Sequence, residues 1–274
     1  MTLADTPQAI AEKPLTDALM ALDVLYLDRA KATLDQADTA KLDKQIDALQ
    51  AKIERLSGMP IEKIAPEPAV MRKAAKGASA KDLAVLAAPS SHYLNNYPHS
   101  TQSNAYYCGP ASVAMALRAM GASNTSDLGH TMTQTVLASS TYLGTIAAPG
   151  GGTNIYRIPT TMSKWAGVVS IVYTNLNTAA TLKSRVLISN GEYGKAQVYG
   201  TRELPGEQAM HYNDHHYYHT TTLDHFIMGY GYSESGNRIH YSDPVAGRWA
   251  LPLERRSMTT GAMASFTNYW GIVA

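Results

Sequence analysis

Apolar and polar positions follow one rhythm at the front of the chain and another behind it. Leu42, Ile46, Leu49, Ile53 and Leu56 recur at spacings of 4, 3, 4 and 3, which lays one apolar stripe along a helix. Gly58 and Pro60 stop it. An earlier stripe runs through Leu15, Leu19, Leu22 and Tyr26 after Pro14, and residues 35–41 break the two apart. The pattern predicts a helical hairpin over residues 1–58. It packs on the main domain, associates with a second copy of the chain, or covers an active site as an inhibitory pro-segment. Two heptads are too few for a long coiled coil. Residues 59–91, with Pro60, Pro66, Pro68, Gly77 and Pro89 among many alanines, read as a linker.

Behind the linker the rhythm changes. "DHFIMGYGY" (224–232) is a buried, aromatic-rich strand, "SESGN" (233–237) a turn, and "RIHYSDP" (238–244) the returning strand, ended by Pro244. Upstream, Pro110 suits the first turn of a helix, Val113, Ala114, Leu117 and Met120 share one face of it, and Gly121 stops it. No internal repeat interrupts this mixed domain, which spans residues 92–274.

Composition sharpens the division. The first 88 residues hold 25 charged side chains and the remaining 186 hold 20; of the 17 tyrosines only Tyr26 lies in the front part. With 45% hydrophobic and 16% charged residues overall, most of the chain builds a packed core. A net charge of +1 gives no polybasic surface for nucleic acid. No apolar run approaches the roughly 18 residues of a membrane span. The first residues lack the basic start and apolar stretch of a signal peptide. The compartment stays open, because a free thiol suits a reducing cytosol and a secreted or periplasmic setting alike. The single cysteine, Cys108, excludes a disulfide framework and a Cys-rich zinc site.

That cysteine sits at a helix start, where backbone N–H groups and the helix dipole favour a thiolate. Packed in apolar surroundings, a lone cysteine is otherwise an inert small hydrophobe. A nucleophile needs a base, and of nine histidines His225 stands out at the start of the buried strand. With the hairpin centred near Ser235, residue 227 faces 243. His225 and Asp243 then share a sheet face as diagonal neighbours, about 7–8 Å apart at the backbone. A carboxylate there orients the imidazole and stabilises its cation. Asp224 points to the opposite face and is a poor partner for His225. Otherwise, His225 is a core histidine on a backbone carbonyl and Asp243 a turn residue before proline. Gln102, six residues before the cysteine, is placed to curl over the helix start. There it supplies a side-chain amide beside the Cys108 N–H for an oxyanion; as an alternative it is a solvated loop residue.

Three stretches carry a resemblance: "QSNAYYCGPAS" (102–112), "DHFIMGYGY" (224–232) and "IHYSDP" (239–244). Together they resemble the papain-like cysteine peptidases, in particular the double-glycine bacteriocin leader-processing peptidases and their stand-alone relatives. The resemblance covers about residues 92–274. It implies an α+β, papain-like fold: a helical part carrying the nucleophile against an antiparallel sheet carrying His and Asp. It also implies Cys108 as nucleophile, His225 as general base and acid, Asp243 as orienter and Gln102 in the oxyanion hole. "TLKSRVLISNGEYGKAQVYG" (181–200) resembles the family's helix, Asn-Gly turn and central strand. Residues 201–224 depart from the family as an insertion. No transporter membrane domain follows, so the family's substrate is not carried over.

Two loops complete the candidate chemistry. "APGGGTN" (148–154) is a rim where Gly151 and Gly152 let an extended peptide reach the backbone; equally, it is a plain turn. Tyr107 is a further substrate-binding candidate beside the nucleophile. His211, Asp214, His215, His216 and His219 form a cluster whose residue types suit zinc or nickel. It has no HExxH pattern, and we read it as a polar cleft rim, with no metal and no cofactor. The expected function is a cysteine peptidase acting on a peptide or protein substrate through a Cys108 thioester. The alternatives are a thiol acyltransferase (ligase, cyclase or transpeptidase) on the same site, and a non-catalytic binding module with a metal-binding histidine loop.

Overall fold

Seven strands hydrogen-bond into one antiparallel sheet in the computed structural model. It describes residues 14, 18, 21, 22, 25, 29, 32, 38–57, 89–168, 170–174, 178–205, 221–247 and 254–274. The strands are β1 (His92–Tyr93), β2 (Val172–Tyr173), β3 (Gln197–Glu203), β4 (Leu223–Ser233), β5 (Arg238–Ser242), β6 (Arg255–Thr259) and β7 (Gly271–Val273). They lie in the order β2, β7, β3, β4, β5, β6, and β1 pairs with the end of β4. Side chains alternate between two cores, as the period of a strand requires. Val198, Met228 and Val273 join one cluster, while Tyr199, Ile227 and Ile272 join the other.

The first cluster is built around α2 (Cys108–Ala119), with residues of α3 (Gln134–Ala138) and α4 (Ile158–Ala166). The second takes Leu182 and Val186 of α5 (Ala179–Val186) and Met263 and Ala264 of α6 (Thr260–Thr267). Ala18, Leu22, Ile46 and Ile53 belong to this second cluster too. The front of the chain, with α1 (Ala40–Ser57), therefore contributes to the core of the sheet domain. Ile46 and Ile53 are buried, whereas Leu56, at the end of the predicted stripe, is 45% exposed. Leu15, Leu19 and Tyr26 lie outside the described residues. Before α1, helical residues Ala18 and Leu22 turn inward. Arg29 pairs with Asp43 of α1 and holds its carboxyl below the usual range.

The helix α2 begins at Cys108 and has Pro110 in its first turn, where no intrahelical N–H is lost. Gly121, at φ +71, ends it, and Ala122 N–H donates back to the Leu117 carbonyl at 2.9 Å. The sequence predicts one apolar face, but Cys108 to Leu117 are all buried. Small side chains at Ala111, Ser112, Ala114 and Ala116 let neighbours close on every side. Ser112 Oγ donates to the Phe226 carbonyl at 2.9 Å and so pins the helix to β4.

The β4–β5 hairpin turns through residues 234–236, with Glu234 and Ser235 at φ 54 and 53. Ser233 faces Arg238 and Gly231 faces His240, but Gly229 faces Tyr241 and Met228 faces Ser242. Tyr230 is the extra residue of a β-bulge. The predicted Asn-Gly turn is helical instead: residues 187–192 form a π-helical continuation of α5. The Asn190 side chain explains the anchoring, since Oδ1 meets His92 Nδ1 at 3.0 Å and Nδ2 donates to the Lys195 carbonyl at 3.2 Å. Helices packed on a mostly antiparallel sheet make the architecture α+β, in the arrangement expected of a papain-like fold. No helix among the described residues is long and apolar enough to cross a membrane.

Candidate active site

Two elements bring Cys108 and His225 to one cleft, and a third ends at the buried Asp243 behind the histidine. Cys108 opens α2, His225 is the third residue of β4, and Asp243 follows the last residue of β5. His225 Nε2 lies 2.9 Å from Asp243 Oδ1. A carboxylate only accepts, so Nε2 carries the hydrogen of that bond. Asp243 Oδ1 also accepts the Val245 N–H at 3.0 Å, which fixes the carboxylate. Cys108 and His225 line the same cleft, and the Cys108 sulfur lies close enough to the ring to bear on its charge. His225 and Asp243 are 5% and 1% exposed. Burial disfavours a charge on His225, but the Asp243 carboxylate and then the Cys108 sulfur outweigh it and raise the ring's pKa well above 6.5.

The other described histidines are engaged elsewhere. His99 contacts Ser242 and Ala246, His130 contacts Tyr142, and His240 contacts Ser233. The cluster of His211, Asp214, His215, His216 and His219 lies outside the described residues. Among the described residues, no three His, Cys, Asp or Glu side chains converge as metal ligands.

Gln102 is buried beside the same corner. Its backbone N–H donates to the Pro244 carbonyl at 2.8 Å, and Nε2 donates to the Asn104 carbonyl at 2.8 Å. Asn104 O also accepts the N–H of Tyr107 at 3.4 Å, which ties the glutamine amide to the residue before Cys108. Tyr107 serves as N-cap of α2 with no side-chain cap bond, and it is not among the residues that line the cleft.

The cleft encloses about 360 Å³, within the usual range for ligand sites. Gly151, Gly152 and Thr153 line it, with Cys108 and His225. The glycine loop folds back on itself, since Ile146 and Gly152 exchange backbone hydrogen bonds of 3.0 and 2.9 Å. It then presses Thr153 onto the start of α2. A Cβ on Gly109 would collide with Oγ1, Cβ and Cγ2 of Thr153, so the residue after the cysteine has to be glycine for the loop to close there.

Sequence reasoning missed the rest of the lining: Ile146, Phe226, Trp270 and Asp224. Asp224 is no partner of His225. It accepts from Trp270 Nε1 at 2.7 Å and from Arg202 Nε and Nη2 at 2.6 and 2.8 Å. Asp224 and Phe226 flank His225 in the sequence, but no local spacing marks Ile146 or Trp270 as their neighbours. The one available signal was the density of aromatic residues near the C-terminus.

A cysteine at a helix start beside a buried His–Asp pair, with that helix facing an antiparallel sheet, is the arrangement expected of the papain-like cysteine peptidase superfamily, and a family match supports that relationship. Residues 94–272 match the Peptidase_C39 like family, and the chain belongs to that family. No curated protein matches the chain. Family membership gives the protein a cysteine peptidase type of function in general terms.

Proposed function

We propose that the protein hydrolyses peptide or amide bonds through a thioester on Cys108. The observation that supports this reading is that Cys108 shares a cleft with His225, whose Nε2 is bound to the Asp243 carboxylate at 2.9 Å. In this mechanism, the Cys108 proton passes to His225 Nδ1, and the sulfur attacks the substrate carbonyl carbon. The oxyanion that forms is held by the Cys108 N–H and by the second N–H of Gln102 Nε2, the one not donated to Asn104. As the tetrahedral intermediate collapses, the C–N bond breaks and His225 gives its proton to the leaving amine. Water then loses a proton to His225 and attacks the thioester. The acid leaves and the thiol is restored. Asp243 keeps Nε2 protonated throughout and stabilises the cationic ring.

Cleavage of internally quenched peptides by the parent and by Cys108→Ala tests the proposal. The variant should fold with unchanged circular dichroism and cleave nothing. Equal cleavage by parent and variant overturns the assignment. Iodoacetamide at mildly acidic pH gives a direct readout, because an activated thiol is alkylated quickly and an inert packed one slowly.

A further inference from the structure

Resting on the peptidase reading, we propose that Trp270 is the specificity-determining wall of the cleft. It selects an aliphatic or aromatic side chain within two residues of the scissile bond, and Asp224 and Arg202 are its positioning residues. Several constraints hold the tryptophan. Its Nε1 donates to Asp224 Oδ1 at 2.7 Å. Asp224 in turn is gripped by Arg202 through both carboxylate oxygens, and the guanidinium lies over the Tyr269 ring, 3.2 Å from its centroid. Tyr269 meets the Trp270 indole edge-on, with centroids 5.0 Å apart. Below the tryptophan, β3 carries Gly200, where an added Cβ would come within 2.7 Å of Trp270 Cβ. The missing side chain lets Trp270 settle on the strand.

The rest of the lining gives the chemistry of the ligand. Ile146, Phe226 and Trp270 offer apolar surface, and Gly150, Gly151 and Gly152 offer backbone. Ile146 is 62% exposed, and apolar surface left open beside a reactive group is what a ligand covers. Among the described residues that line it, Asp224 is the ionisable side chain outside the Cys108–His225 pair, and Arg202 already neutralises it. Against these described residues a charged substrate side chain would lose water without gaining a partner, while an apolar one gains by burial. Asp224 is adjacent to His225 in β4, so the wall it orients lies beside the reacting atoms.

The test is an equimolar library of internally quenched peptides, with cleavage sites read by mass spectrometry and KM and kcat measured on the best sequences. The parent is expected to cut where an aliphatic or aromatic residue lies within two positions of the bond. Trp270→Ala should lose that preference and raise KM for those peptides by about tenfold or more, with kcat changed much less. Asp224→Ala, which keeps the indole but frees it, should act in the same direction. It serves as the second variant if Trp270→Ala does not fold. Iodoacetamide alkylation of Cys108 monitors the intact nucleophile in each. A parent that cleaves, with variants that keep its preference and KM, overturns the role of Trp270 and leaves the peptidase reading standing. Cleavage of no peptide by the parent overturns both.

Discussion

His225 Nε2 and Asp243 Oδ1 lie 2.9 Å apart across eighteen residues of chain, and a single bulged residue brings them together. Near the turn, Gly231 faces His240. That register, continued without interruption, would set Asp243 opposite Met228, on the face that alternates with the face of His225. The bulge at Tyr230 shifts the pairing to Met228 and Ser242. The next pair is then Ile227 and Asp243, so His225 and Asp243 share a face. Asp243→Asn preserves the shape but leaves Nε2 without a carboxylate. It should lower kcat by about 10² or more with little change in KM. Steady-state kinetics on one peptide, parent against variant, decide this, and an unchanged kcat removes Asp243 from the mechanism.

The charge on His225 sets the pH dependence. Burial opposes the cation, yet Asp243 and Cys108 together raise the folded-state pKa well above 6.5. A raised pKa means that the folded chain holds the proton more tightly than the unfolded one. The stability it contributes is complete below about pH 6.5 and is lost as pH rises through the folded-state value. The leaving amine needs that same proton, so activity should fall over the same interval. The alkaline limb of kcat/KM should therefore lie well above pH 6.5 and move toward acid in Asp243→Asn. NMR titration of the His225 ring gives the pKa independently, and a ring that titrates at or below 6.5 contradicts this account.

How much of this was legible in the sequence depends on how local each contact is. The helix that opens at Cys108 is written in Pro110 in its first turn and Gly121 just past its end, all within one short stretch of chain. The His225–Asp243 relation follows from a short hairpin whose centre is marked by Ser235 and Gly236. The bulge that makes the register correct is not implied by strict alternation, although Gly229 and Gly231 on either side of Tyr230 hint at it. Trp270 and Asp224 are 46 residues apart. Their contact depends on β3 pairing with both β4 and β7, which no window of sequence reveals. The burial of α2 on all sides is equally non-local, since it depends on what closes around its small residues.

The front of the chain contributes apolar side chains to the sheet domain's core. Ile53 is fully buried in the cluster that includes Tyr173, Leu182 and Ile227. Ile53→Ala should lower stability by about 2–5 kcal/mol, read as a shift in the urea midpoint. Removing residues 1–58 should lower the melting temperature of the remaining chain by more than the point variant does. A truncated chain with unchanged melting temperature and raised turnover would instead identify the segment as an inhibitory cover.

Gly109 offers the sharpest test of how the cleft is assembled. The three nearest atoms that a Cβ on Gly109 would meet, Oγ1, Cβ and Cγ2, all belong to Thr153. Thr153 is also held from the other side, where its Oγ1 shares a hydrogen bond of 2.8 Å with Thr145 Oγ1. It cannot retreat without breaking that bond and moving Gly152, which lines the cleft. Gly109→Ala should therefore destabilise by about 1–3 kcal/mol and depress kcat/KM at the same time. Thr153→Gly removes every atom of the collision. On its own it loses the bond to Thr145, but in combination it makes room for the alanine. The double variant should be more stable than the sum of the two single effects predicts, by at least ~0.5 kcal/mol. Strict additivity in the denaturation midpoints would mean that the glycine is needed for some other reason than the approach of Thr153.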